Sequence, residues 1–115
     1  MLFAIDDDGV PSIASIVRLG LPSPTTWELL PSSDGSVPTC RHEAAMVTVD
    51  GKLYLMGGRG ASKPTEEYDP VTGKWRTIGT LPLEMHHFQP VVLDGLVYVV
   101  GAFTGPYPNE TNFGR

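Results

Sequence analysis

Residues 44–58 read Ala-Ala-Met-Val-Thr-Val-Asp-Gly-Lys-Leu-Tyr-Leu-Met-Gly-Gly. Residues 88–102 read Phe-Gln-Pro-Val-Val-Leu-Asp-Gly-Leu-Val-Tyr-Val-Val-Gly-Ala. The two stretches match at the turn, because Gly51 and Gly95 are 44 residues apart (95 − 51), and again at Tyr54 and Tyr98, with the same offset. The chain therefore repeats itself, and the repeat decides how the rest of the sequence is interpreted.

Each copy has the pattern of a β-hairpin. Asp-Gly suits a tight primed turn because its glycine accepts a positive φ, and β-branched or aromatic residues lie on both sides of it. After the first copy, residues 65–69 form a further short run, residues 70–73 place Pro and Gly to reverse the chain, and residues 74–78 carry Trp75. The sequence thus predicts four antiparallel strands between residues 44 and 78.

Glycine and proline separate these short apolar runs along the chain. There are 13 glycines and 11 prolines among the 115 residues, and they fall between runs rich in Val, Leu and Tyr. This distribution is typical of many strands joined by turns and not of a linker. A period of about 40 to 50 residues also belongs to propeller blades and not to helical repeats.

The order of these features resembles the kelch repeat. An apolar hairpin is followed by the pair Gly57-Gly58, by Tyr68 ten residues later, and by Trp75 seven residues after that. The resemblance covers residues 27–102 and extends to kelch β-propellers like the central domain of galactose oxidase. The second copy departs from the pattern at Ala102. The resemblance implies an all-β fold: an incomplete kelch-type β-propeller, with one complete four-stranded antiparallel blade flanked by partial blades.

The resemblance also implies structural roles for the motif residues. The paired glycines, Gly57 and Gly58, with Gly101 in the second copy, end a strand where two backbone segments pass close together. Tyr68 and Trp75 are expected to pack between neighbouring blades and to bury large apolar areas.

Two parts of the chain are distinguished on this basis. Residues 25–115 are assigned to the propeller fragment, and Trp27, 48 residues before Trp75 (75 − 27), marks an outer strand of a preceding blade. Residues 1–24 are an N-terminal segment that is either a degenerate partial blade or a disordered loop. Because propellers use about four to eight blades, we expect the chain to need further blades of a longer protein, or to associate with itself, to cover its open sheet faces.

Charge and composition exclude some partners. The formal net charge is −5 with no basic cluster, so a nucleic acid or an anionic membrane surface is not expected. Cys40 is the single cysteine, and no intrachain disulfide forms. The residues at the start lack the pattern of a secretory signal, which leaves either an intracellular protein or a truncated start. The tripeptide at Asn109 fits a glycosylation sequon, and its use is left open.

The ligand-binding candidates come from loops that lead into the innermost strand of each blade, where propellers hold their ligands. The loops are residues 41–43 and 85–87, and His42 matches His86 at the same offset of 44 (86 − 42). Arg59 follows the glycine pair on a neighbouring loop. The alternative is that these side chains only hold turn backbone between blades. The candidates are Arg41, His42, Glu43, Arg59, His86 and His87.

No residue is assigned a catalytic role, and no cofactor or metal is expected. His86 and His87 are adjacent, and on an extended strand they would point to opposite faces and could not share an ion. We therefore expect a binding or scaffold module that recognises a protein or a carbohydrate and performs no chemistry of its own. Two alternatives remain: a fragment of a propeller enzyme, either a galactose-oxidase-like copper oxidase or a sugar mutarotase, and a fragment without a function of its own.

Overall fold

The computed structural model describes residues 31–113. The secondary structure of this range consists of eight β-strands, which confirms the all-β prediction: β1 (Ala45–Val49), β2 (Lys52–Met56), β3 (Pro64–Asp69), β4 (Lys74–Thr80), β5 (Pro90–Leu93), β6 (Leu96–Val99), β7 (Ala102–Thr104) and β8 (Thr111–Phe113). No helix within the described range could cross a membrane. The strand predicted at Trp27 and the segment 1–24 lie outside the described residues.

Strands β1 to β4 form one antiparallel sheet in chain order, as predicted for residues 44–78. The first turn places Asp50 at φ 49° and Gly51 at φ 77°, the two positive φ values that a primed turn requires. Tyr68 on β3 lies directly opposite Trp75 on β4. This sheet is the complete four-stranded blade.

A second unit follows the first along the chain. Strands β5 and β6 pair around the turn at Asp94 and Gly95, which have φ values of 51° and 73° and repeat the geometry of the first turn. The short strands β7 and β8 form a separate pair that the sequence did not predict. Three β-sheets are thus present in the described part of the chain, one of four strands and two of two strands.

The hydrophobic core lies where the two units meet. Its five buried residues come from β1, β2, the segment before β5, and β7: Ala45, Met56, Met85, Phe88 and Ala102. Val47, Tyr54 and Val99 are among the half-buried side chains that pack against them. The contact therefore shields part of the apolar surface of each unit, in the way that neighbouring blades of a propeller pack.

The glycine pair lies at this contact between units. A methyl group at Gly57 would lie 2.5 Å from Phe88 Cε1 and 2.6 Å from the carbonyl oxygen of Met85. The N–H of Gly58 donates to that same Met85 carbonyl at 2.8 Å. At Gly101, the equivalent of Gly57, φ is 81° and no atom lies within 4 Å of an added methyl group. The close backbone approach is thus present in the first copy alone.

Tyr68 and Trp75 pack on each other within the described residues. Their ring centroids are 5.1 Å apart with the planes tilted by 40°, and both side chains are half-buried. The backbone N–H of Trp75 donates to Ser36 Oγ at 3.0 Å. Packing of these rings against a neighbouring blade stays a prediction.

Candidate functional site

Four loops from the two units meet at one edge of the structure. They are residues 41–44 before β1, 57–63 after β2, 84–89 before β5 and 105–110 between β7 and β8. Backbone hydrogen bonds tie them together: the N–H of Arg59 donates to the His42 carbonyl at 3.2 Å, and His86 and Phe103 exchange two bonds of 2.9 Å. The convergence brings together five side chains that we call the polar loop cluster: Glu43, Arg59, His86, His87 and Glu110.

Two members of the cluster have an unusual backbone conformation. Glu43 has φ 56° and His87 has φ 52°, and the two are 44 residues apart (87 − 43). Positive φ is uncommon for residues other than glycine and persists where surrounding contacts hold it. The same conformation therefore recurs at equivalent positions of both repeats, and it directs a polar side chain to the edge each time.

Arg59 links two carboxylates across the cluster. Its Nε donates to Glu43 Oε2, and its Nη2 donates to Glu110 Oε1 at 2.7 Å. The hydrogen bonds from Arg59 hold the pKa of Glu43 and that of Glu110 below their ordinary value. In return, the bonds to Glu110 and Glu43 raise the pKa of Arg59. All three groups are charged at neutral pH as a result.

His86 is the fully buried member, with 0% of its surface exposed. Its Nε2 lies 3.1 Å from the carbonyl oxygen of Gly105, which only accepts, so Nε2 carries the hydrogen. Its Nδ1 therefore offers a lone pair and lies 2.8 Å from Nδ1 of His87. The ring stacks on Phe103 with a centroid distance of 6.5 Å. The ring is thus held in one orientation.

His87 lies at the open side of the cluster, with 48% of its side chain exposed. Its Nδ1 is 3.7 Å from Glu43 Oε2, the same oxygen that lies 3.8 Å from Nδ1 of His86. The argument that adjacent histidines point to opposite faces is wrong here, because it assumed an extended strand. The left-handed backbone at His87 instead turns both ring nitrogens toward one point.

The remaining two candidates are not members of the polar loop cluster. The side chain of Arg41 is 2% exposed and donates to the carbonyl oxygens of Gly57 and Pro64 at 2.9 and 2.8 Å, and to the carboxylate of Glu66. Arg41 thus holds loop backbone inside the blade, as the alternative interpretation expected for these loops. The side chain of His42 is 69% exposed, and within the described part of the chain its only charged partner is Glu43, at 3.8 Å. The two matching histidines, His42 and His86, do not form a common surface.

Sequence reasoning missed two acidic residues at this edge. Glu110 pairs with Arg59, and Glu84 accepts the N–H of Gly60 at 2.7 Å. Glu110 is 51 residues from Arg59 in the chain. It lies on a loop between two strands that the sequence did not predict. No spacing in the sequence signals either contact.

A second polar cluster crosses the four-stranded sheet. Glu66 and Glu67 are consecutive on β3 and point to opposite faces, yet both are buried. The Glu67 carboxylate accepts from Arg76, from Lys52 at 3.0 Å and from Tyr54 at 3.0 Å. The bonds from Arg76, Lys52 and Tyr54 lower the pKa of Glu67 to about 2. Glu67 is therefore a buried anion on β3 that is stabilised by hydrogen-bond donors from both neighbouring strands, β2 and β4.

Known proteins to which this chain is similar carry kelch in their names. The Kelch motif matches residues 40–82. Kelch-like protein 23 of Pongo abelii is 33% identical over 85 residues, which are 74% of this chain and 14% of that protein. Kelch-like protein 33 of Homo sapiens is 34% identical over 97 residues, 82% of this chain and 17% of that protein. Kelch-like protein terF of Aspergillus terreus is 26% identical over 89 residues, which are 70% of this chain and 19% of that protein. The chain spans less than a fifth of the length of these relatives.

Proposed function

Since residues 40–82 form a repeat of the Kelch motif family, we propose that this chain is a binding module that recognises a protein partner at the edge carrying the polar loop cluster. The observation that supports the proposal is the convergence of four loops from two repeat units, described above. Loops positioned by rigid sheets are where binding residues concentrate. The strands of each unit then act as the scaffold for this edge.

The chemistry of the edge favours a protein over a carbohydrate. Arg59, Glu43 and Glu110 place both signs of charge within one patch, and His42 and Tyr107 are exposed beside it. Arginine and tyrosine are enriched among the residues that carry binding energy at protein interfaces, and charged rims set specificity there. A glycan partner is the alternative outcome of the experiment below.

Nucleophilic catalysis by Cys40 gains no support from the described residues. Cys40 is exposed and unpaired, and no hydrogen bond joins it to a histidine in that range. Nucleophilic catalysis requires a base within hydrogen-bond reach of the nucleophile. Catalysis by this thiol is therefore not proposed.

The test compares variants at the edge with a variant at the far end of the same sheet. The chain is immobilised as wild type, His42→Ala, Tyr107→Ala and Asp50→Asn, and retained proteins are identified and quantified by mass spectrometry. Asp50 lies at the opposite end of β1, and asparagine accepts its positive φ, so Asp50→Asn is the control. The purified partner is then measured against each variant by calorimetry.

We expect one partner to bind wild type and Asp50→Asn equally, and to bind His42→Ala and Tyr107→Ala at least about tenfold more weakly. Equal binding to all four would place the interface elsewhere and overturn the proposal. Retention of no protein, together with a specific signal on a glycan array, would replace the protein with a carbohydrate.

A further inference from the structure

One carboxylate and two imidazoles converge at the centre of the polar loop cluster. Glu43 comes from the loop before β1, and His86 and His87 come from the equivalent loop before β5. One ligand atom from each residue lies within 4.8 Å of the other two. These three side chains hold the donor types that zinc takes from proteins, namely two imidazole nitrogens and a carboxylate oxygen.

We propose that Glu43, His86 and His87 bind one zinc ion, or a similar divalent transition metal, with a fourth position open to solvent or to a ligand. In a tetrahedral zinc site with bonds of about 2.0 to 2.1 Å, neighbouring ligand atoms lie about 3.3 Å apart. The three distances here are 2.8 Å between the two Nδ1 atoms, and 3.7 and 3.8 Å from these to Glu43 Oε2. Shifts of about half an ångström would bring all three to the tetrahedral spacing.

His86 is already in the state that a metal requires. Its Nε2–H donates to the Gly105 carbonyl, so its Nδ1 lone pair faces the other two ligands. Metal-ligating histidines almost always donate their second ring N–H to a carbonyl or carboxylate, which fixes the tautomer and the ring. The complete burial of His86 and its stacking on Phe103 add to this preorganisation.

The charges around the three ligands can accommodate a cation. Arg59 donates to Glu43 Oε2 and brings a positive charge, but Glu110 pairs with the same guanidinium. Glu84 adds a third carboxylate, 3.9 Å from Nε2 of His86. Arg59 then acts as the group that orients the ligating carboxylate, while the half-exposed His87 leaves a route for the ion and for a fourth ligand.

The positive φ values of Glu43 and His87 gain an explanation from this site. A strained backbone at two equivalent positions persists because the surrounding structure holds it, and such residues cluster at functional sites. In both repeats the conformation turns a metal-binding side chain toward the same point. The site therefore forms only where two repeat units meet.

The experiment titrates zinc chloride into the 115-residue chain without a polyhistidine tag, by isothermal calorimetry. All samples carry Cys40→Ser, because the exposed thiol would compete for zinc. His87→Ala and Glu43→Gln each remove a ligand at the accessible side of the site. His42→Ala is the matched control, because it removes the chain's remaining histidine, at the position equivalent to His86.

We expect one zinc per chain, with unchanged affinity in His42→Ala. The affinity in His87→Ala and Glu43→Gln should fall by at least the roughly 10- to 100-fold that loss of an outer-shell partner costs. Cobalt(II) in place of zinc should give the visible absorption of a tetrahedral site, which His87→Ala should lose. Circular dichroism checks that each variant keeps its β-structure, and buried His86 is left unchanged for that reason.

Three results would overturn the site. The first is no saturable zinc binding to the chain with all three ligands intact. The second is an affinity in His87→Ala or Glu43→Gln that is unchanged from the protein with all three ligands, and the third is a loss in His42→Ala as large as in those variants. The inference depends on these three side chains and not on the protein partner proposed above, so the two tests fail separately. His42→Ala is expected to lose the partner and to keep zinc.

Discussion

The glycines of the two repeats show how one motif position can be required for different physical reasons. Gly57 and Gly101 occupy the same place in the repeat, 44 residues apart (101 − 57), and both have positive φ. At Gly57 a methyl group would also collide with Phe88 and with the Met85 carbonyl, whereas the space beside Gly101 is open. The first glycine is therefore required by conformation and by packing, and the second by conformation alone.

Replacing each glycine with alanine separates these two contributions. Both changes carry the cost of positive φ, about 1 kcal/mol. Gly57→Ala additionally overpacks the contact between units, which costs about 1 to 3 kcal/mol more. Chemical denaturation should thus rank the free energies of unfolding as wild type, Gly101→Ala and Gly57→Ala, in falling order. Equal losses in the two variants would show that Phe88 moves away without cost.

The histidines show what a single backbone angle changes. The period of 44 residues placed the loops at His42 and His86 in equivalent positions, and the structure brings both loops to the same edge. Their side chains differ, since His42 is exposed and His86 is buried. The shared direction of His86 and His87 follows from φ 52° at His87, which no feature of the sequence indicates.

At the level of the strands, the four-stranded sheet is stabilised by a row of polar side chains as well as by apolar packing. Tyr54, Glu67 and Arg76 lie directly opposite one another on β2, β3 and β4. Lys52 joins the same carboxylate from β2. Because Glu67 is buried and accepts bonds from both neighbouring strands, its charge contributes to the stability of the whole sheet.

From this row we predict that the free energy of unfolding decreases as the pH falls into the acid range. The pKa of Glu67 is lowered in the folded state from 4.5 to about 2, chiefly by its bond from Arg76. The stabilisation is therefore fully present above pH 4.5 and is lost as the pH falls toward 2. Wild type should unfold at a higher temperature than Glu67→Gln at pH 7, and the difference should shrink between pH 4.5 and pH 2.

Thermal unfolding followed by circular dichroism at a series of pH values measures this difference. Other carboxylates titrate in both proteins, so only the gap between the two curves reports Glu67. A gap that stays constant down to pH 2 would mean that the charge of Glu67 contributes nothing to the sheet.

The strength of the local sequence signals explains which strands were predicted and which were missed. Two Asp-Gly turns and the alternation around them correctly placed β1, β2, β5 and β6, and the Pro-Gly turn placed β3 and β4. Strands β7 and β8 have three residues each, too few to show a side-chain alternation, and are separated by six residues, which is longer than a tight hairpin turn. Phe103 on β7 also forms a bridge with His86, which belongs to the preceding loop.

At the level of the whole molecule, the sheets of the two units differ in how much of their apolar surface is buried. In the four-stranded sheet, β2 and β3 are hydrogen-bonded on both sides. Among residues 31–113, β5 and β6 pair only with each other. Most of the apolar side chains on that hairpin are exposed, including Val91, Leu93, Leu96 and Tyr98. A hairpin of two strands is marginally stable in water without a further strand or a covered face.

Amide hydrogen exchange of the chain should therefore be uneven. Amides of β2 and β3 that bond within the sheet should exchange at least about tenfold more slowly than those of β5 and β6. Exchange followed by mass spectrometry or NMR resolves the two regions. Equal protection would show that β5 or β6 has another pairing partner in solution, and a dependence on protein concentration would identify that partner as a second copy.

The repeat period, the order of strands β1 to β6 and the match of residues 40–82 to the Kelch motif follow from the sequence alone, because turn chemistry and side-chain alternation act over a few residues. The cluster of Glu43, Arg59, His86, His87 and Glu110 was decided by the tertiary structure. Arg59 and Glu110 are 51 residues apart in the chain and meet only because two units pack against each other and close their loops on one edge. Contacts of this kind depend on the packing of whole sheets and on single backbone angles, which local patterns do not encode.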